Sequence, residues 1–208
     1  MLRKDHWEKI YQTKSPDEVS WYQSNPLLSM KLIKDSELEK GLGIIDVGGG
    51  ASLLVDYLLD DGFEDIAVLD ISEDSLEISK KRLGDRKDLV EWIVADVTEF
   101  SSSRSFSFWH DRAVFHFLVD EEDQKKYLEV LKETLDPGGV VVVATFALDG
   151  PSKCSGLDVV RYDTESICRV FGSDFQLIGQ FSESHFTPSE KEQRFTYFMF
   201  RKINRDMM

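Results

Sequence analysis

Apolar residues along this chain keep two rhythms. Mostly apolar runs at Ile44-Ile45, Ile66 to Leu69, Val90 to Ala95, Phe106 to Trp109 and Val140 to Phe146 read as strands, the last of the kind buried in parallel sheets. Between them, apolar positions recur three and four apart, the helical spacing. Leu54/Leu58 and Leu53/Tyr57 define a helix over Ser52–Leu59, closed by Asp61-Gly62. Ser72-Glu73-Asp74-Ser75 opens a second helix with a cap and first-turn acids, and Lys80, Lys81 and Arg82 sit toward its end. Tyr127, Leu128, Leu131 and Leu135 mark a third over Glu121–Leu135. Asp163-Thr164 caps a short helix to Phe171, and Phe175–Phe181 with Phe195–Phe200 read as a closing antiparallel pair. Strands alternating with helices predict an α/β fold.

Ahead of the first strand, residues 5–11 and 26–38 carry helical spacing, joined by the turn-rich loop Ser15 to Tyr22. This segment is rich in aromatics: Trp7, Tyr11, Trp21 and Tyr22. His6, Trp7 and Tyr11 cannot all share one helical face.

The first strand leads into Asp46-Val47-Gly48-Gly49-Gly50-Ala51-Ser52. Glycines let the main chain take φ > 0 and let a ligand approach where a Cβ would block it. A strand, a glycine turn and a helix present backbone amides to a nucleotide-like ligand, although such turns also serve structure alone. Two further runs end in acids, at Asp70 and Asp96. A single acid at a strand end is often only a cap. Three at the carboxyl ends of parallel strands line one crevice.

This turn, with Asp70 and Asp96, resembles motifs I, II and III of the class I, seven-stranded, S-adenosylmethionine-dependent methyltransferases. The resemblance runs from about residue 40 to the C-terminus and includes Asp136-Pro137-Gly138-Gly139 before the fifth strand. Ser52 stands where the family's commonest loop has its last glycine. The Gly-x-Gly-x-x-Gly spacing of NAD-binding domains does not fit. The resemblance implies a doubly wound, mostly parallel seven-stranded sheet of order 3-2-1-4-5-7-6, with strand 7 antiparallel and helices on both faces.

The same resemblance implies roles. Gly48, Gly49 and Gly50 let the backbone approach the methionine part of the cofactor, and Asp46 orients its amino group. Asp70, followed by Ile71, takes the ribose hydroxyls. Asp96, followed by Val97, takes the adenine amino group, and His110 supplies a main-chain carbonyl. After strand 4, Trp109-x-Asp111-Arg112-Ala113 resembles the thiopurine-type small-molecule enzymes, while the Asp-Lys-Gly-Thr element of one lysine methyltransferase branch is missing. Asp111, Arg112 and His116 are the catalytic candidates, His116 because imidazole is the neutral-pH base. In the family the N-terminal arm folds over the cofactor, which makes Trp21 and Tyr22 lid candidates. Arg161 and Tyr162, in the long loop from Ala147, would pair with an anionic acceptor, unless Arg161 bridges to a surface acid. The expected activity is methyl transfer to N, O or S of a small molecule, leaving S-adenosylhomocysteine. The alternatives are a protein lysine acceptor and a cofactor sensor without turnover.

Composition narrows this further. At 208 residues the chain suits one domain, with an arm over 1–40, a cofactor core over 41–147 and a substrate-side segment over 148–208. A net charge of -14 argues against a nucleic-acid partner and suits a cationic cofactor. Cys154 and Cys168 have no disulfide or metal spacing, and no metal is expected. The stretch Met1 to Trp7 lacks a signal peptide's apolar core, and no run approaches the ~18 residues of a membrane span, so a cytoplasmic location is expected. Oligomeric state is left open.

Overall fold

The apolar runs become strands because each is covered on both sides. In the computed structural model, which describes residues 3–204, β1 (Ile44–Val47), β2 (Ile66–Asp70) and β3 (Val90–Val94) are joined by β4 (Phe106–Arg112) and β5 (Leu135–Phe146). Met1 and Leu2 of the N-terminal stretch, and the last four residues, lie outside the described residues. A two-residue hairpin, β6 (Lys153–Cys154) and β7 (Leu157–Asp158), stands in the long loop, and β8 (Phe175–Phe186) and β9 (Glu192–Lys202) close the sheet. The seven long strands lie in the order β3-β2-β1-β4-β5-β9-β8. With the small hairpin set aside, that is the expected 3-2-1-4-5-7-6. The neighbouring pairs from β3 to β5 are parallel, and β9 runs antiparallel to both β5 and β8.

Helices α1 (Arg3–Thr13), α2 (Leu27–Asp35), α3 (Leu54–Asp60), α4 (Glu73–Leu83), α5 (Glu121–Thr134) and α6 (Thr164–Phe171) complete the fold. Strand side chains alternate between faces. Ile44, Val68, Phe108 and Val142 pack with Leu32, Leu54, Leu58 and Leu76 of α2, α3 and α4. Ile45, Leu69, Trp109 and Val141 pack with Tyr127, Leu131, Ile167 and Phe171 of α5 and α6. Among the described residues no helix is long and apolar enough to cross a membrane.

Several strands run longer than their apolar patterns; β5 starts at Leu135, where the helical pattern of α5 was expected to end. β4 continues three residues past Trp109, so His110, Asp111 and Arg112 are strand residues whose partners on β5 are Val142, Val143 and Ala144. The β8–β9 hairpin extends beyond the apolar segments Phe175–Phe181 and Phe195–Phe200, its pairing reaching Phe186 and Glu192. Its outer part alternates exposed and half-buried positions, and polar residues there replace the apolar signal.

The extra length of β4 decides what Asp111 does. Alternation turns it away from the crevice, toward α5, where it is fully buried. It accepts the Val114 N–H (2.9 Å), the Phe115 N–H (3.1 Å) and the Tyr127 hydroxyl (2.8 Å). The catalytic expectation for Asp111 is therefore corrected: this carboxylate closes the turn after β4. Burial pushes it up to about 6, against the pull of those donors. Asp111→Ala would strand buried donors and should cost about 2–4 kcal/mol; chemical denaturation measures it, and a loss under ~1 kcal/mol would refute the assignment.

Candidate active site

The glycine turn is wedged between the tips of β2 and β4. Gly48 and Gly49 both donate to the Leu69 carbonyl, at 2.7 and 3.3 Å. Gly48 sits at φ 68°, and a Cβ there would overlap the Val114 side chain. Around this turn lie two adjoining clefts, with empty volumes of ≈ 720 and ≈ 580 Å³, within the range of small-ligand sites. Tyr11, Trp21, Val47, Gly48 and Arg112 form the seam between them.

The larger cleft holds Asp70, Ile71, Asp96 and Val97. Asp70 Oδ1 accepts the Ser72 N–H at 2.8 Å, and burial pushes its carboxyl up to about 7. Asp96 lies two residues beyond the end of β3, and both its oxygens take Arg3 Nη1, at 3.1 and 2.9 Å. The smaller cleft holds Asp46, Gly49, Ser29 and His110. Asp46 Oδ1 meets His110 Nδ1 at 2.7 Å, while its Oδ2 is buried and unpartnered. All three strand-end acids therefore stand along one crevice.

The roof comes from outside the glycine-turn core. Arg3, Trp7 and Tyr11, four residues apart on α1, all line the larger cleft. Trp7 and Trp21 meet edge to face at 5.6 Å, and Trp21 Nε1 donates to the Tyr11 hydroxyl at 3.3 Å. Trp21 lines both clefts and Tyr22 the smaller one. Trp7 and Tyr11 were missed as wall residues, although their i, i+4 spacing was visible; His6 turns aside to Ser155 Oγ, 3.4 Å away. Glu8 anchors α1 by capping α4, accepting the Ser72 hydroxyl (2.9 Å) and the amides of Glu73 (2.9 Å) and Asp74 (3.3 Å). Cys154 closes the larger cleft from the β6–β7 hairpin, its thiol pushed up to about 11 by burial.

Other expectations are corrected. His110 lies inside β4 opposite Asp46, so its side chain, rather than a strand-end carbonyl, faces the cleft. His116 is fully buried against Phe117 and Phe146, lines neither cleft, and has no partner at either ring nitrogen. Burial, then the nearby Arg112, pushes it down to about 3, so it is no base for a bound acceptor. Arg112 lines both clefts, but its charge is spent: Nη2 meets Glu183 at 3.2 Å, Nη1 the Trp21 carbonyl at 3.1 Å and Nε the Tyr197 hydroxyl at 2.9 Å. It also lies over the Phe195 ring, 4.3 Å from its centroid. Arg161 is exposed and donates to the Leu148 and Gly150 carbonyls, while Tyr162 is buried beside Phe115 among the α5–α6 core. Neither reaches the clefts.

Residues 44–139 match the profile of a family described as a methyltransferase domain. Over that span the sequence is similar to methyltransferase domains, and the sheet has the order of the Rossmann-like methyltransferase fold. A curated relative of the chain, the eEF1A lysine and N-terminal methyltransferase of Bos taurus, is 26% identical over 140 residues, 67% of this chain and 20% of the relative. The chain thus spans about a fifth of the length of that relative. Among solved structures, the fold matches one from work on conversion of a disulfide bond into a thioacetal group during echinomycin biosynthesis (TM-score 0.80, 13% identity, 98% of this chain and 93% of the other). It also matches the N-methyltransferase NodS from Bradyrhizobium japonicum WM9 in complex with S-adenosyl-L-homocysteine (TM-score 0.64, 15% identity, 86% and 89%).

The raised value of Asp70 has a signed consequence. Its folded value of about 7 stands above the ordinary 3.8, so the folded chain holds that proton more tightly than the unfolded one. Its contribution to stability is largest at low pH and is lost as pH rises from about 4 to about 7. His116 works oppositely: with its value lowered from 6.5 to about 3, stability is lost as pH falls through that window. Comparing wild type with Asp70→Asn cancels His116. The wild-type melting temperature should fall relative to the variant as pH rises from 4 to 8; parallel curves would show that Asp70 does not hold its proton.

Proposed function

We propose that this chain transfers a methyl group from S-adenosylmethionine to a nitrogen, oxygen or sulfur atom of a small molecule. The observation that carries the reading is the unpartnered, buried Oδ2 of Asp46 at the glycine turn. A buried carboxylate oxygen without a donor is costly unless a ligand supplies one. The ammonium of a methionine moiety fits that need, and the turn leaves room beside it only because Gly49 has no Cβ.

When bound, the cofactor supplies a methyl group on a sulfonium that departs as a neutral thioether. The residues of this chain supply position and dryness. Asp70, with Ile71 beside it, would accept the ribose hydroxyls. Asp96 would take the adenine amino group over Val97 while still holding Arg3, since a carboxylate has about four lone-pair sites. The reacting centre would fall at the seam, where Tyr11, Trp21 and Arg112 meet.

The state of the charged groups around the seam supports the small-molecule reading. Arg112 is paired, His116 is walled off and Arg161 lies outside, so no unpaired cation awaits an anion and no histidine serves as a base. The walls are the rings of Trp7, Tyr11, Trp21 and Phe117. They suit a flat, uncharged acceptor that brings its own lone pair. One observation favours a protein lysine instead: Glu183, behind Arg112, also lines an outer cleft with Asp17, an acidic approach for a cation.

A transfer screen with cofactor labelled on the methyl, against metabolite pools and denatured lysate, tests the reading. Label in the small-molecule fraction is expected. Label on lysine would replace it with the second reading, and binding without transfer would leave only a sensor. Asp70→Ala should weaken cofactor binding by about 1.5–3 kcal/mol; unchanged affinity by calorimetry would remove the ribose assignment. Trp21→Ala should lower turnover about tenfold or more while the melting temperature shifts little; the reverse pattern would make Trp21 mere packing.

A further inference from the structure

Asp46 does not stand alone in its cleft. The register of the parallel ladder sets it directly opposite His110, and both project to the α2 side of the sheet. Ser29, in the first turn of α2, completes the row. His110 Nδ1 is 2.7 Å from Asp46 Oδ1, and His110 Nε2 is 2.9 Å from Ser29 Oγ. All three residues are at least 97% buried, with exposures of 3% for Asp46, 3% for His110 and 1% for Ser29.

The donor inventory orders the protons. An ionised carboxylate only accepts, so Nδ1 of His110 carries the hydrogen toward Asp46. Nε2 faces the Ser29 hydroxyl, which can donate or accept, so the bond can form with either tautomer. The row therefore runs from Ser29 through His110 to Asp46 Oδ1. That bond fixes the rotation of the carboxylate and leaves Oδ2 over. On the Oδ2 side lies Gly49, where a Cβ would sit only 2.5 Å from the oxygen. The protein provides a holder for one oxygen and leaves the other unpartnered beside the bare backbone of Gly49.

We propose that the His110 side chain is the positioning residue for the amino end of the cofactor: through Nδ1–H it holds Asp46 so that Oδ2 meets the ammonium. This rests on the cofactor assignment made above and replaces the main-chain role expected for His110. Asp46 touches the ligand; His110 acts only through it. The function belongs to one nitrogen of the ring, which gives a test that simple packing would not pass.

Two ligands separate the ends of the site: S-adenosylhomocysteine, which has the amino-acid end, and 5′-methylthioadenosine, which keeps adenosine and sulfur without it. Two variants separate the ring nitrogens. The amide of His110→Asn falls where Nδ1 stood and still donates to Asp46; that of His110→Gln falls near Nε2 and abandons it. Calorimetry should show S-adenosylhomocysteine bound within about threefold of wild type by His110→Asn and about 10–100-fold more weakly by His110→Gln. Binding of 5′-methylthioadenosine should be the same in all three proteins. Equal losses for both ligands in His110→Gln, equal losses in the two variants, or no loss at all would each overturn the proposal. Should His110→Gln fail to fold, Ser29→Ala takes its place, with an expected loss of about two- to fivefold for S-adenosylhomocysteine only; a loss shared by both ligands, or none, would overturn it. Wild-type protein binding neither ligand would remove the cofactor assignment, and this inference with it; binding both while His110→Gln matches wild type would remove this inference alone.

Discussion

The site depends on a lack of room after β1. A Cβ at Gly48 would overlap Val114, one at Gly49 would stand 2.5 Å from Asp46 Oδ2, and one at Gly50 would stand 2.5 Å from Asp70 Oδ2. The turn is thus pressed on one side against the segment after β4 and on the other against the acids of β1 and β2. Bare backbone at these points brings the tips of three strands close enough to share one crevice. The acids then stay near the main chain, where burial and local donors set their state, as the shift at Asp70 shows.

The roof is held by a different kind of force. The glycine-turn core closes on apolar burial, whereas α1 adds charged contacts to the ring contacts of Trp7 and Tyr11. Glu8 supplies a cap that α4 partly has from Ser72, and Arg3 bridges Asp96 and Asp123. Ser72 follows the cleft residues Asp70 and Ile71 in the chain, so the roof is fastened at the helix terminus next to the floor. In a chain with a net charge of -14, basic side chains facing this crevice are already committed to neighbouring acids. That leaves an apolar, aromatic chamber in an acidic protein.

Legibility in the sequence followed burial. β1, β2 and β5 read directly, because central parallel strands carry unbroken apolar runs. The crevice acids read too, because strand ends are marked by the end of the run. What did not read was the continuation of strands through polar residues. His110, Asp111 and Arg112 end the apolar run of β4 yet stay in the ladder, and only that length sends Asp111 to one face and Arg112 to the other. Tertiary partners were equally hidden: nothing local says that Arg112 will meet Glu183, 71 positions away, or that Glu8 will cap a helix 65 positions later. Arg161 and Tyr162 sat in a loop whose direction depends on the β6–β7 hairpin, too short to leave a pattern.

The grip of Arg112 on residue 21 is made through the main-chain oxygen, not the indole. His185 holds the preceding residue the same way, by the Ser20 carbonyl at 2.7 Å. Every amino acid carries that oxygen, so the tether is blind to the identity of the side chain it presents. A change at position 21 would reshape the wall of the chamber and leave its fastening in place. In this architecture, preference for one acceptor over another can drift by single substitutions at almost no structural expense.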